Sequence, residues 1–456
     1  MNPKIIVLDD DPTGSQTVHS CLLLTRWDTA TLKAALADAS PLFFILTNTR
    51  GMEAARAAEV TREVCDSLRA ALADHKGPVL FVSRSDSTLR GHYPVETDVM
   101  NAALGPFDAT LLTPAFFEGG RITRDSTHYL IVDGKPVPTH ETEFGRDSVF
   151  GYRSAFLPDY VEEKTAGRVP AKEVARLTLS DLRSGKTDTW LGTLHGNAVG
   201  VVDGETPADY QVFADAVLAA VAAGKRLLFR SAASLLTALA KLPPQPVAAD
   251  AFASIVRNRQ PGAIIVGSHV AKTTAQLAVL LKQRGVVSLP LDVSRLPEAR
   301  AAMVDELTAS IADAHARDLT PVVFTSRVER QFASVTERLQ FGETVSGTLM
   351  DVVRRLPTTL GFLISKGGIT SNDVLSTGLA LTASRVLGQI LPGVTVVTTP
   401  PDHPRLPNLP VVIFPGNVGG DDALAEAYRR LAPATALVWS DATEAHGAVK
   451  AHDELN

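Results

Sequence analysis

Short apolar runs alternate with amphipathic segments along most of this chain, and that rhythm restricts the fold more than any single motif does. Ile5 to Leu8, Leu42 to Leu46, Val79 to Val82, Thr110 to Leu112 and Leu227 to Phe229 read as buried strands. Val60, Val64, Leu68 and Leu72 recur every fourth residue, the apolar stripe of a helix that stops by Gly77-Pro78. Strand, helix, strand order implies right-handed crossovers and a mostly parallel sheet covered on both faces. Tyr129 to Val132, followed by Asp133-Gly134-Lys135-Pro136, breaks the rhythm as a hairpin or irregular insertion.

At 456 residues the chain is too long for one core, and its length predicts about two to three domains. Leu242-Pro243-Pro244-Gln245-Pro246 is the natural linker, because consecutive prolines stiffen the chain and remove backbone donors. The expected layout is a first domain over 1–242, a linker over 243–260, a second domain over 261–440 and a polar tail over 441–456. Second-domain strands are expected at Ala263 to Val266, Val286 to Leu289, Pro321 to Thr325, Gly361 to Ile364, Val394 to Thr398 and Val411 to Phe414. Helices are expected between them, notably Thr273 to Arg284 and Asn372 to Leu387. The predicted architecture is α/β: two domains, each a mostly parallel sheet flanked by helices, with a cleft between them.

A net charge of −6 with scattered basic residues argues against a nucleic-acid partner. No apolar stretch approaches the roughly 18 residues that span a bilayer, so no membrane partner is expected. The first apolar run stops at Asp9-Asp10-Asp11, which fits a first strand and not a signal peptide. With only Cys21 and Cys65, a reduced cytoplasmic protein without a disulfide framework is expected.

In open α/β sheets ligands sit outside the carboxyl ends of the strands, so the residues after each apolar run belong together. Behind Val79 to Val82 stand Ser83-Arg84-Ser85-Asp86-Ser87-Thr88-Leu89-Arg90-Gly91-His92. Its arginines can fork onto a carboxylate or phosphate, while Asp86 and the hydroxyls sort sugar-like OH groups; the bland alternative is a solvated turn. Asp9-Asp10-Asp11 repel one another, which raises a pKa or recruits a cation, unless they merely cap the next helix. Thr47-Asn48-Thr49-Arg50-Gly51 follows the second run, and the fourth leads into Thr113-Pro114-Ala115-Phe116 and Gly119-Gly120-Arg121. Taken singly these are turn chemistry; their convergence at one end of one sheet is the stronger signal.

Three strand, glycine loop, helix passages mark the second half: Gly267-Ser268-His269-Val270, Lys366-Gly367-Gly368-Ile369-Thr370 and Pro415-Gly416-Asn417-Val418-Gly419. Such loops offer backbone N–H groups to phosphate. The first is one residue short of a P-loop and has Ala271 where its second glycine belongs, so the Walker reading is rejected. Asp421 and Asp422 would repel phosphate unless they face away or Mg²⁺ intervenes.

With these residues assembled, the chain resembles the four-carbon acid sugar kinase family from Ile5 to about Gly420. The resemblance rests on Asp10-Asp11-Pro12-Thr13-Gly14, on the run from Ser83 to Glu96, on Thr113-Pro114-Ala115-Phe116 and on Gly367-Gly368-Ile369-Thr370-Ser371. It implies an ATP-dependent kinase acting on the terminal hydroxyl of threonate, erythronate or 3-oxo-tetronate, with the acid held by the first domain and the nucleotide by the second. Ser268, Gly367, Gly368, Thr370 and Gly416 match nucleotide-binding positions of the family. Where relatives carry a Lys-Ser-Gly-Asn-Phe-Gly-like sequence this chain has Phe414-Pro415-Gly416-Asn417-Val418-Gly419, without the lysine, and Lys366 is the electrostatic substitute. A homodimer is implied by family habit alone.

The expected mechanism has Arg84 and Arg90 clamping the acid's carboxylate, helped by Asn48 and Arg50, with Asp11, Ser83, Ser85 and His92 completing the substrate site. Asp86 or Asp10 takes the hydroxyl proton, and domain closure aligns that hydroxyl with a phosphate held by Ser268, Lys366, Gly367, Gly368, Thr370, Gly416, Asn417 and Gly419. Mg²⁺ is expected with ATP, its protein ligands unassigned. Two rivals remain: a nicotinamide-dependent sugar-acid oxidoreductase, which lacks G-x-G-x-x-G after the first strand, and a non-catalytic sugar-acid sensor, which has no use for three phosphate loops.

Overall fold

Ile6 and Val7 are fully buried and Ile5 nearly so, as a parallel strand covered by helices on both faces requires. In the computed structural model, which describes residues 2–327, 332 and 334–432, this logic holds in both halves of the chain. The tail expected over 441–456 lies outside the described residues. Contacts divide the chain into two compact units, one ending at Pro244 and one beginning at Gln245.

The first unit carries β1 (Lys4–Asp9), β2 (Leu22–Leu24), β3 (Leu42–Leu46), β4 (Val79–Arg84) and β5 (Ala109–Thr113). After an antiparallel three-stranded insertion of β6 (Arg121–Arg124), β7 (Thr127–Val132) and β8 (Lys135–Pro138) come β9 (Ala175–Leu177), β10 (Ala198–Val202) and β11 (Leu227–Ser231). Its main sheet runs β2-β3-β1-β4-β11-β5-β10-β9, every pairing parallel. Because β3 and β4 flank β1 on opposite sides, strand order reverses at β1, and the crevice outside its carboxyl end is the natural ligand position. The helix Ala54–Leu72 buries Ala57, Val60, Val64, Leu68 and Ala71, an i, i+3/i+4 stripe. The helix Pro207–Ala222 starts at a capping box in which Thr206 and Asp209 satisfy each other's backbone donors.

The second unit carries β12 (Ala263–Val266), β13 (Val286–Leu291), β14 (Thr320–Thr325), β15 (Leu363–Lys366), β16 (Ala383–Leu391), β17 (Val394–Thr398) and β18 (Pro410–Phe414). The order is β13-β14-β12-β15-β18-β17-β16, parallel up to β18 and antiparallel from there. The helix expected over Asn372 to Leu387 is corrected. Only Gly368–Asp373 is α-helical, with a π turn over Val374–Gly378, and β16 follows. The reason is period: Ser384, Val386, Gly388 and Ile390 are buried alternately, and the Pro392-Gly393 turn returns the chain as β17. No helix among the described residues is long and apolar enough to cross a membrane.

Residues 245–260, expected as a linker, pack on the second unit. The Gln245 amide accepts from Gln389 N at 3.0 Å and donates to Gln389 O at 3.1 Å, and Phe252 and Val256 lie in that unit's core. Phe252→Ala should therefore cost about 3–5 kcal/mol, read as a lowered denaturation midpoint, and a loss under about 1 kcal/mol would mean the segment is not docked.

Candidate functional site

Sheet register brings the charged residues of the first unit together. In it Asp9 of β1 lies beside Arg84 of β4, and Arg230 of β11 beside Ser83. Arg50, on the turn after β3, donates from Nε to Asp10 Oδ2 at 3.2 Å, from Nη2 to Asp10 Oδ1, and from Nη1 to Asp11 Oδ2 at 3.3 Å. Arg230 donates to Ser83 Oγ at 2.8 Å, to Glu96 Oε2 at 2.6 Å and to Ser85 Oγ at 2.7 Å. A guanidinium cannot accept, so the Ser85 proton points elsewhere; its nearest acceptor is Asp10 Oδ2 at 2.5 Å. Thr49 closes the chain by donating to Glu96 Oε1 at 2.6 Å.

Asp86 receives Thr88 and, at 2.8 Å, Arg90 Nε, both on Oδ2; Oδ1 takes no hydrogen bond from a described residue. Burial by itself would raise this carboxyl, but Arg50 and Arg90 outweigh burial and hold it below the usual carboxylate range. Arg90 also lies 3.7 Å from Asp147 and 4.8 Å over the Phe144 ring. Ser85, Asp86, Leu89, Arg90, Tyr160, Arg230 and Ser231 line one pocket, with Leu112 and Pro114 as its apolar wall. Arg84, expected at the ligand, turns inward: it is buried and bonds Asp9 Oδ1 at 3.3 Å. His92 binds the carbonyls of Thr49 and Met52 at 3.1 and 2.9 Å, and Asn48 takes a left-handed backbone conformation, so both shape the Arg50 turn.

In the second unit the three expected loops leave the carboxyl ends of β12, β15 and β18, neighbours in one parallel sheet. A Cβ on Gly367, whose φ is +114°, would lie 2.9 Å from Ser268 Cβ, and one on Gly416 would lie 3.4 Å from Ser268 Oγ. Thr370 crowds Gly267 in the same way. Thr273 Oγ1 donates to Gly416 O at 2.9 Å, and Gln276 donates to the carbonyls of Val418 and Gly420, both at 2.9 Å. Gly368 opens the short helix after β15, and Asn417 and Gly419 are exposed. Lys366 is fully buried over the Phe414 ring at 4.3 Å and donates to the carbonyls of Pro415 and Gly416. Burial, then Lys272, pushes its pKa down to about 7. It braces the third loop from within. Asp421 pairs with Lys272 at 3.3 Å and Asp422 with Arg429 at 2.6 Å, so both acids have cationic partners.

Sequence reading missed Arg230, Glu96, Thr49 and Arg327. Arg230 had a signal, since it ends the apolar run of β11 as Arg84 ends that of β4. Arg327 follows β14 and donates to Ser268 O at 2.7 Å, beside the loops. Among the described residues no cluster of three or more His, Cys, Asp or Glu could hold a metal ion.

Gly91, at φ +117°, lets the backbone pass where a Cβ would sit 2.4 Å from Ser85 Oγ and 2.8 Å from Arg230 Nη2. Gly91→Ala should cost about 1–3 kcal/mol in thermal unfolding; a neutral effect would show that the loop yields. Asp9 is fully buried, and burial, opposed by Arg84 and aided by Asp10 and Asp11, pushes its carboxyl up from 3.8 to about 7. The folded chain thus holds this proton more tightly than the unfolded one, so its stabilisation is complete below pH 3.8 and is lost as pH rises through about 7. Asp9→Asn should flatten the fall in stability across that window, measured by urea unfolding at stepped pH; an unaltered slope contradicts this.

Residues 5–239 match the family model of a sugar-binding N-terminal domain, and residues 263–424 that of a nucleotide-binding C-terminal domain. The chain is 26% identical to D-erythronate kinase of Heliobacterium modesticaldum over 401 residues, 84% of this chain and 80% of that protein. It is 26% identical to D-threonate kinase of Bordetella bronchiseptica over 447 residues, 94% of this chain and 98% of the other. Two solved structures share its fold: a Haemophilus influenzae protein (TM-score 0.61, 17% identity, covering 93% of this chain and 100% of that one) and a Salmonella typhimurium protein described as a putative tRNA synthase (0.68, 18%, 94% and 100%). With both domain models matched in sequence order and named kinases aligned along most of its length, the chain belongs to the four-carbon acid sugar kinase family.

Proposed function

We propose that this chain transfers the γ-phosphoryl group of ATP to the terminal hydroxyl of a four-carbon sugar acid of the threonate, erythronate or 3-oxo-tetronate type. The observation that carries the reading is chemical: one unit gathers hydroxyls, carboxylates and guanidiniums at its strand exits, and the other gathers three backbone loops at its own. The first set suits a small polyhydroxy acid and the second a polyphosphate.

Asp86 is the residue that takes the hydroxyl proton. It is held ionised, its Oδ1 takes no hydrogen bond from a described residue and it lines the pocket. Asp10 has the complementary role of anchor, since both its oxygens already accept from Arg50 and one also from Ser85. Phosphoryl transfer needs mostly positioning and neutralisation, so a weakly basic carboxylate suffices. Ser268, Gly367, Gly368, Thr370, Gly416, Asn417 and Gly419 line the phosphate side, with Lys366 bracing their backbone. The described residues build no protein cage for Mg²⁺, which fits an ion carried by the phosphates with few protein ligands. When bound it neutralises phosphate charge.

A coupled ADP assay over a panel of C4 sugar acids tests the activity. Asp86→Asn should lower kcat about 10²–10⁴-fold with KM largely kept, whereas Asp10→Asn should act mainly on KM. If neither variant changes turnover by about tenfold, the role assignment fails. Acid binding without ADP release would favour the sensor, and nicotinamide reduction the oxidoreductase.

A further inference from the structure

The guanidiniums around Asp86 are matched to carboxylates with one exception. Arg50 faces Asp10 and Asp11, Arg84 faces Asp9, Arg90 faces Asp86 and Asp147, and Arg230 faces Glu96. Arg121, the first residue of β6, has no carboxylate within ion-pair distance among the described residues. Its Nε is sealed from solvent without an acceptor, its Nη1 donates to the Gly119 carbonyl, and the Phe116 ring stands 6.0 Å from its guanidinium carbon. Burial lowers its pKa, with Arg90 adding and with Asp86 and the exposed Glu143 opposing from beyond contact distance. A guanidinium nevertheless stays charged in a protein, and a half-buried charge with no carboxylate in contact is costly.

The Arg121 backbone is fixed. It exchanges hydrogen bonds with Phe116 at 2.8 and 3.0 Å, and β6 is tied back to the first unit where Thr123 and Gly204 pair. A rigid frame therefore holds this fork beside the Asp86 loop, for Thr123 of β6 bonds His128 at 2.9 Å and His128 bonds the Ser87 carbonyl at 2.7 Å.

We propose that Arg121 binds the carboxylate of the sugar acid and so selects acids over neutral polyols. The ligand's identity rests on the kinase reading. Arg84, buried and donating from Nη1 to Asp9, is structural, and Arg90 positions Asp86. An acid held at Arg121 supplies the carboxylate in contact that this guanidinium lacks and leaves its hydroxyls to Asp86 and Ser85, a division of labour that a neutral analogue cannot complete.

Isothermal titration of D-erythronate and D-threonate, and of their neutral amides, into the full chain without nucleotide tests this. Arg121→Gln should weaken binding of the acid about 10–100-fold and abolish the preference for acid over amide, with Arg121→Lys restoring part of it. In the ADP assay KM for the acid should rise by the same factor while KM for ATP stays. Acid binding by Arg121→Gln within about twofold of the parent overturns the proposal, as does equal weakening of acid and amide, which marks a structural role. A parent chain that binds the acid in an Arg121-dependent way but releases no ADP sinks the kinase reading and supports the Arg121 assignment. A parent chain that binds no C4 acid overturns both.

Discussion

Pairing of buried charges at the exits of parallel strands is the constraint on which the first unit depends. Strands covered on both faces end where water is scarce, so a guanidinium there needs a carboxylate in contact. Register supplies it for Arg84, since β1 beside β4 places Asp9 against it; Arg230, set against Ser83 where β11 lies beside β4, takes its carboxylate, Glu96, from the helix Val95–Leu104. Since side chains alternate faces, a one-residue slip would send every one of these groups to the wrong side. The sheet and the site thus specify each other. The Glu96–Arg230–Ser85–Asp10–Arg50 chain also gives each hydrogen bond a direction, which makes Asp10 an anchor and leaves Asp86 with an open acceptor.

The second unit solves a different problem with different means. Its loops expose backbone in place of charged side chains, and the cation at their base faces inward. Lys366 holds the Pro415 and Gly416 carbonyls together, as Gln276 does for Val418 and Gly420. These carbonyls all belong to the third loop, so its acceptors are satisfied from within the unit. Strain at Gly367 belongs to the same arrangement, because close approach of the first two loops leaves no space for a side chain there.

Much of the fold was legible because apolar runs longer than a turn have few alternatives. β3, β12 and β17 fall where the sequence places them, and β1, β4, β5 and β11 differ only at their ends. β2 and β9 span three residues each, too few to show a period, while the stretch expected as a helix over Asn372 to Leu387 draws its helix-forming Leu375, Leu379, Ala380 and Leu381 from residues before β16. In the site, Asp10, Asp11, Arg50, Ser83, Ser85, Asp86 and Arg90 come together as the strand-exit rule implies. Arg84 sits among them in sequence yet faces the interior.

The sequence by itself determined the α/β class, the division near the proline cluster, the strand exits where chemistry gathers and the family to which the chain belongs. Only the tertiary structure decided which arginine is matched to which acid. Such pairing follows register, face and helix packing, none of which is written in local spacing: Arg230 reaches Glu96 across 134 positions, and Arg84 reaches Asp9 across 75. For the same reason it is the fold that leaves Arg121, alone among the guanidiniums around Asp86, with no carboxylate in ion-pair distance among the described residues.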